Sequence, residues 1–480
     1  MKKFLLKNKI KLIFILFFTL IFTAYVFLNF FIGKGKLSIR FLTDDQKKII
    51  KKYVFPYKLI SLKEKEILEL KNNQREIENI FFEMEIDNKK ALADIHLLKL
   101  DDVKLSNNKN MIKFKIVNGF TSGIYGKRPG GYLDFHRNNL LILSARGVLG
   151  YATNIYGELK FKQIKNNIDE FIGLDQFKKS ADFAVRDLHV NQNEIFISYL
   201  EEKKNDCWNT SILYGKMNYE NIKFKKLFSS EKCIDSNYGP RGDEINLIEN
   251  EGLGFTPNSS GGRIVNFDES HILFSVGEYI QRHLAQDEKS INGKIVKINI
   301  NNSKYEIISM GHRNPQGLYY DKENNFILET EHGPRGGDEI NLIEIENTKE
   351  NAILNYGWAI ASYGEHYGGR TDKNKEKYKR YPLYKSHSKH GFIEPLKAFV
   401  PSIGISEITK IGENKFVTSS MGSDREGDKS IYFFKLDKEK KLIDLEQVKV
   451  SQRVRDLNFK DNKLFLFLEE PSAIGVISFN

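Results

Sequence analysis

The chain has 480 residues, 40% of them hydrophobic, enough to bury a sizeable core and to exclude a disordered protein. Its net charge of +11 is no nucleic-acid footprint, because residues 1–40 hold eight basic residues and no acid, leaving 11 − 8 = +3 for all the rest. No basic stripe is interleaved with aromatics, so the excess reads as compositional bias and no nucleic-acid partner is expected.

The first predicted element is apolar. Lys2, Lys3, Lys7, Lys9 and Lys11 precede an uncharged run from Leu12 to Ile32, about the roughly 20 residues that a helix needs to cross a bilayer. A cleaved signal peptide competes with this reading, but the run is longer than an h-region and Phe31-Ile32-Gly33-Lys34 lacks a small-x-small cleavage site. Residues 1–34 are therefore expected to be a basic tail and an uncleaved transmembrane helix. The lysines hold the N-terminus in the cytoplasm, which places everything after Gly33 on the outer side, in a bacterium the periplasmic face of the inner membrane.

Residues 35–106 are expected to be a helical stalk or linker. Asp44-Asp45 suits a helix start, and Ile49, Ile50, Tyr53 and Val54 recur at helical spacing up to a break at Pro56. Leu62, Ile67, Leu68, Leu70, Ile77 and Ile80 then mark a second amphipathic helix, and the helical pattern runs on to about Lys104. No chemistry is assigned to it.

Beyond about Asn107 the texture changes to short runs rich in Ile, Val, Phe and Tyr separated by Asn, Asp and Gly, the chemistry of strands and turns. A phrase recurs in which a short strand ends in a polar turn and a strongly apolar strand follows. Its six instances begin at Tyr132, Val185, Arg263, Gly317, Ile405 and Arg455. Radial repetition of small antiparallel sheets solves the edge problem of so many short strands. Residues 107–480 are thus predicted to be an all-β, six-bladed propeller, with a sandwich pair as the alternative. Cys207 and Cys233 are the only cysteines; they could pair in an oxidising compartment, or remain two buried thiols.

The most informative stretch is Gly311-His-Arg-Asn-Pro-Gln-Gly317, followed by Glu331-His-Gly-Pro-Arg-Gly-Gly-Asp-Glu-Ile-Asn341 and by Asn355-Tyr-Gly-Trp358. It closely resembles the signature of the PQQ-dependent glucose/sorbosone dehydrogenases, and Arg453-Val-Arg455-Asp456 resembles the paired arginines of that family's last blade. The resemblance implies PQQ as cofactor, with Arg313, Asn314, Arg453 and Arg455 as its contacts. PQQ is an ortho-quinone with three carboxylates, so planar guanidinium forks suit its pocket, and a cation with an amide donor at the quinone would stabilise arriving negative charge. Each arginine alone could equally pair with the domain's own acids.

The same resemblance implies a calcium held by the backbone carbonyls of Gly333 and Pro334, with Asp338 and Glu339 serving either the metal or the turn. Calcium accepts many oxygen ligands in loose geometry. A near copy, Tyr238-Gly-Pro-Arg-Gly-Asp-Glu-Ile-Asn-Leu-Ile248, lies upstream and could be a second loop of this type.

Two positions depart from the family. Gly262-Arg263-Ile264 matches the end of the phrase that carries the catalytic histidine, but the histidine's place holds Ser259, so no catalytic base is assigned. The cofactor-contacting lysine is replaced too, with Gly422 of Ser419-Ser-Met-Gly422 in its place. His271, His283, His332 and His366 are the histidines that could approach a central cleft. There is no Gly-x-Ser-x-Gly, phosphate-binding Gly-rich loop, His-Glu-x-x-His or Cys-x-x-Cys.

The implied activity is oxidation of a sugar or related alcohol or hemiacetal, with electrons passing to a respiratory acceptor. The alternative is a non-catalytic propeller that binds a glycan, an envelope component or a partner protein.

Overall fold

The computed structural model describes residues 14, 16–24, 63–71, 94–100, 102–116, 130–153, 160–172, 176, 183–236, 255–345, 353–422, 428–469 and 472–479. Two compact units divide the chain, residues 1–80 and 81–480. In the first, residues 16–24 and 63–71 are helical, and Ile67, Leu68 and Leu70 are exposed. Most of the run from Leu12 to Ile32 and the helix expected before Pro56 lie outside the described residues. Among the described residues no helix is long and apolar enough to cross a membrane.

The second unit is a six-bladed propeller. Each of the six recurrent phrases forms the two inner strands of one blade, paired antiparallel, as in Gly131–His136 with Asn139–Ser144 and Val185–Asn191 with Glu194–Lys204. Later blades start at Gly261–Asn266, Pro315–Asp321, Ile405–Gly412 and Arg453–Lys460. The second strands read as continuous apolar runs because both of their faces are covered. Along Asn139–Ser144, Leu141 and Leu143 pack towards the second blade, whereas Leu140 and Ile142 pack towards the sixth. Six apolar clusters lie one at each junction between neighbouring blades, so the core is a ring of seams and no blade has a core of its own.

The ring closes by mixing the ends of the domain. The sixth blade takes three strands from Arg453–Lys460, Lys463–Glu469 and Ala473–Ser478, and its outer strand is Asn110–Ile116. The helical reading up to about Lys104 is corrected here. Asp94–Lys99 is a strand that pairs with both Asn110–Ile116 and Lys160–Asn166, and Val103–Lys104 is a short strand paired with Asn110–Ile116. Its backbone partners stand far along the chain, where local periodicity cannot see them.

Cys207 and Cys233 form a disulfide that ties the third strand of the second blade to the segment after that blade's outer strand. Five of the six innermost strands carry a bulge near the axis, at Val185/Asp187, Gly261/Ile264, Pro315/Gly317, Ile405/Ile408 and Val454/Asp456. A bulge re-aims the side chains around it, and here it sets what the blades present to the axis.

Candidate active site at the propeller axis

Two layers of side chains meet at the axis. The deeper layer centres on Arg263, whose Nη1 bonds to Asp187 (2.8 Å) and Asp456 (2.7 Å). Its Nε lies 2.8 Å from Glu407 and donates to the Gln316 carbonyl. Asp187, Glu407 and Asp456 come from the second, fifth and sixth blades. Each spends an oxygen on a backbone N–H of a neighbouring blade, at Ile264, Leu318 and Leu133 respectively. One guanidinium facing three buried carboxylates cannot neutralise them all. Burial, opposed by Arg263, pushes Asp187 up to about 7 and Glu407 up to about 8.

The shallower layer opens outward. A small polar recess, with about 10 Å³ of space open to a water molecule, is lined by Tyr132, Arg186, Gly261, Arg263, Gln316 and Arg455, among others. Arg455 Nε and Arg453 Nε bond to the two oxygens of one carboxylate, Glu469 (2.7 and 2.9 Å). Burial raises Glu469, but the two arginines outweigh it and hold the group below its usual range. Arg453 goes deeper, its Nη1 donating to the carbonyls of Met421 and Gly422. It anchors the loop where the family has its lysine. Arg455 is the member of the pair that lines the recess.

Arg313 and Asn314 enter just before the fourth blade's innermost strand. Asn314 Nδ2 donates to the Asn258 carbonyl, and its Oδ1 accepts from Gly261 N–H (3.1 Å) and Gln316. It therefore clamps the loop that contains Ser259, which sits buried in a short turn, Pro257–Ser259. Arg313 Nη1 donates to the carbonyls of His332 (2.9 Å) and Gly333 (2.7 Å), and the guanidinium lies 5.4 Å from the centre of the Trp358 ring. Its Nε is buried without a partner.

The residues expected to hold calcium are engaged as follows. Gly333 O accepts from Arg313, and Pro334 O accepts from Ser402 Oγ (3.3 Å). Asp338 Oδ1 accepts from Gly333 N–H and Oδ2 from the N–H groups of Ile403, Gly404 and Ile405, so all four of these bonds fix the turn. Glu339 is buried, 3.7 Å from His387. The carbonyls are of the type calcium takes, but a cation there would face the guanidinium already bonded to Gly333 O.

None of the four histidines singled out from sequence lines the recess. His271 pairs with Asp268, and His366 Nε2 donates to Tyr381 O. His283 lies on the turn Arg282–Gln286. His332 Nε2 donates to Ile405 O (2.6 Å), and burial lowers its pKa, so the ring is neutral with its second nitrogen unprotonated. The loop Tyr238 to Ile248 lies outside the described residues.

Sequence reasoning missed Arg186, which shares the mouth of the recess. The signal was present: Val185-Arg186-Asp187-Leu188 repeats as Val454-Arg455-Asp456-Leu457, with arginine shallow and aspartate deep in both.

The fold is a six-bladed propeller with arginines lining a recess at its axis. The family model "Glucose / Sorbosone dehydrogenase" matches residues 182–475, more than half of the chain, and the chain belongs to that family. Aldose sugar dehydrogenase YliI of Escherichia coli is 36% identical over 127 residues, covering 24% of this chain and 32% of the relative. Quinoprotein glucose dehydrogenase B of Acinetobacter calcoaceticus is 28% identical over 148 residues, covering 24% and 29%. The chain matches less than half the length of these curated relatives. The crystal structure of the soluble aldose sugar dehydrogenase of Escherichia coli in the apo-form superposes with a TM-score of 0.55 at 20% identity, over 72% of this chain and 95% of that one, a likeness of fold.

Proposed function

We propose that the chain is a quinoprotein-type oxidoreductase that oxidises a sugar, or a related alcohol or hemiacetal, with PQQ bound over the axial recess. The observation that carries this reading is the pair of arginines lining the axial recess, with Arg313 and Asn314 immediately before the Pro315 and Gln316 that also line it. Arg186 and Arg455 line the recess, and Arg313, with an unpartnered buried Nε, stands beside Asn314. That donor set fits an acidic, planar cofactor. Arg455 and Arg186 would bind its carboxylates, while Arg313 and Asn314 would face its quinone. When bound, an ortho-quinone accepts the two electrons that the sugar loses.

The chain's own part is to orient the two reactants and to take a proton from the sugar hydroxyl. A serine hydroxyl at position 259 cannot take that proton at neutral pH without a base of its own. His332, neutral and adjoining the Gly333 turn, becomes the substitute base of this reading only where its ring leaves the Ile405 carbonyl and turns toward the recess, which it does not line in this structure. Calcium at Gly333 and Pro334 belongs to the proposal as well and requires Arg313 to release the Gly333 carbonyl. So do a respiratory electron acceptor and an uncleaved inner-membrane anchor in residues 1–34, with the propeller in the periplasm.

The test is calorimetric titration of the full chain with PQQ, with calcium and with chelator. Micromolar or tighter binding, weakened by chelation, is expected. No binding at micromolar concentrations leaves the second reading, a propeller that binds a glycan, an envelope component or a partner protein without catalysis. Ser259 in place of histidine is the observation that favours it.

A further inference from the structure

Blade 4 holds a second polar cluster that the axial recess does not use. Glu329 and Glu331 alternate along Phe326–Glu331 and so share one face of that strand. Asn341, directly opposite Glu329 on the neighbouring strand, donates its amide to Glu329 Oε2 (3.0 Å) and Glu331 Oε1 (3.1 Å). His312, from the turn before the blade, closes the group with Nδ1 3.5 Å from Glu331 Oε1 and 3.8 Å from Glu329 Oε2. His312, Glu329 and Asn341 are fully buried, and Glu331 nearly so.

This burial is not compensated as it is at the axis. Among the described residues no arginine or lysine side chain is paired with Glu329 or Glu331, whose ion-pair partner there is His312. His312 Nδ1 and Glu329 Oε1 are buried and have no hydrogen-bond partner. Both belong to the same small cluster, and unpaired buried polar atoms are costly enough to need an explanation. Burial first, and the charge of Glu331 next, push Glu329 well above the ordinary carboxylate range, as expected where a counter-charge is missing.

We propose that His312 Nδ1, Glu329 and Glu331 bind a divalent first-row transition-metal ion, zinc by the chemistry of the donors. Ligand atoms at roughly 2.0–2.1 Å from a tetrahedral zinc lie about 3.4 Å from one another. The three donor atoms here lie within 4.8 Å of one another, with the His312 contacts at 3.5 and 3.8 Å, so small side-chain shifts suffice. Imidazole suits zinc and is foreign to calcium or magnesium sites. His312 Nε2 lies 2.8 Å from Ser309 Oγ and the ring stacks on Tyr356, the outer support that fixes a metal-binding histidine and leaves Nδ1 bare. The Asn341 amide orients both carboxylates. Arg313 follows His312 directly and donates its N–H to Glu331, so the ion would stiffen the turn that presents Arg313 and Asn314.

The full chain, stripped with chelator and returned to zinc alone, is measured by elemental analysis and thermal unfolding, with excess calcium in a parallel sample. One zinc per chain, retained against calcium and raising the melting temperature, is expected. Glu329→Gln, of nearly the same shape, should weaken zinc binding at least about tenfold; His312→Gln should do the same where it folds. The proposal is overturned if the stripped chain takes up less than about a tenth of an equivalent, or if Glu329→Gln leaves zinc uptake unchanged. The test reads zinc uptake and melting temperature with no PQQ present, so either idea can fail without the other.

Discussion

Neighbouring residues on the innermost strands of the second and sixth blades do opposite work. Asp187 and Asp456 face the deep layer and are spent on Arg263 and on backbone N–H groups of the next blade. Arg186 and Arg455, one residue earlier, line the recess. Depth decides the difference. A carboxylate buried at the seam needs every lone pair answered, and answering them ties blades together, whereas Arg186 and Arg455 line the recess while one nitrogen of each is held, by the Pro257 carbonyl and by Glu469 respectively. Structure and site are thus interleaved residue by residue in one repeat.

Breaking the deep layer should have the largest effect. Arg263→Met removes the guanidinium paired with Asp187, Glu407 and Asp456, and loss of one partner from a buried ionic group costs about 3–5 kcal/mol. Urea unfolding should register that loss with PQQ affinity falling only in step with folding. A cost under about 1 kcal/mol would mean that the two layers do not differ as argued.

Changing pH sharpens the same point. Asp187 and Glu407 have folded values raised to about 7 and about 8, above unfolded values of roughly 3.9 and 4.3. The native state therefore holds protons that the unfolded chain releases. Their contribution is complete below about pH 4 and is lost as pH rises through 7 and 8. Chemical unfolding at pH 5.5 and 8.5, taken as rough ends of that window, should show the loss, and Glu407→Gln should flatten it. A rise in stability over this range would contradict the proton assignment.

At the mouth the effects should fall on ligand rather than fold. Arg455→Gln should weaken PQQ binding by about 2 kcal/mol, roughly thirtyfold, as one charge-assisted contact goes. Its stability should change less than that of Arg263→Met. If both properties fall together, Arg455 belongs to the deep layer after all.

Smallest in free energy, and aimed at chemistry alone, is Ser259→His. A positioned base is commonly worth about 10² to 10⁴ in rate, and regaining part of it should raise aldose turnover with an artificial acceptor at least about tenfold. The control is His332→Gln, which should lower the basal turnover if His332 is the substitute base. Absence of any gain in Ser259→His, with PQQ bound, would favour the non-catalytic reading.

Much of this was legible without coordinates. The six phrases beginning at Tyr132, Val185, Arg263, Gly317, Ile405 and Arg455 became the six inner strand pairs, because alternate residues on a strand packed between two neighbours must all be apolar. Arg313 and Asn314 were readable from their motif. Arg453 and Arg455 looked equivalent in sequence and are not: alternation alone would leave them on one face, but across the bulge at Val454/Asp456 Arg453 goes to the Gly422 loop and Arg455 to the recess. Asp94–Lys99 was read as helix because its pairing is with Asn110–Ile116 and Lys160–Asn166, and no local period reports that.

By itself the amino-acid sequence determined the number of blades, the change of texture near Asn107 and the residues of the family motif, since these rest on local pattern and chemical type. Tertiary structure alone decided that Cys207 and Cys233 are bridged, that Asp338 spends both oxygens on the turn, and that His312 meets Glu329 and Glu331. Those outcomes depend on how strands far apart in sequence are brought edge to edge, and the distances so created set which buried charges are answered and which are left for an ion.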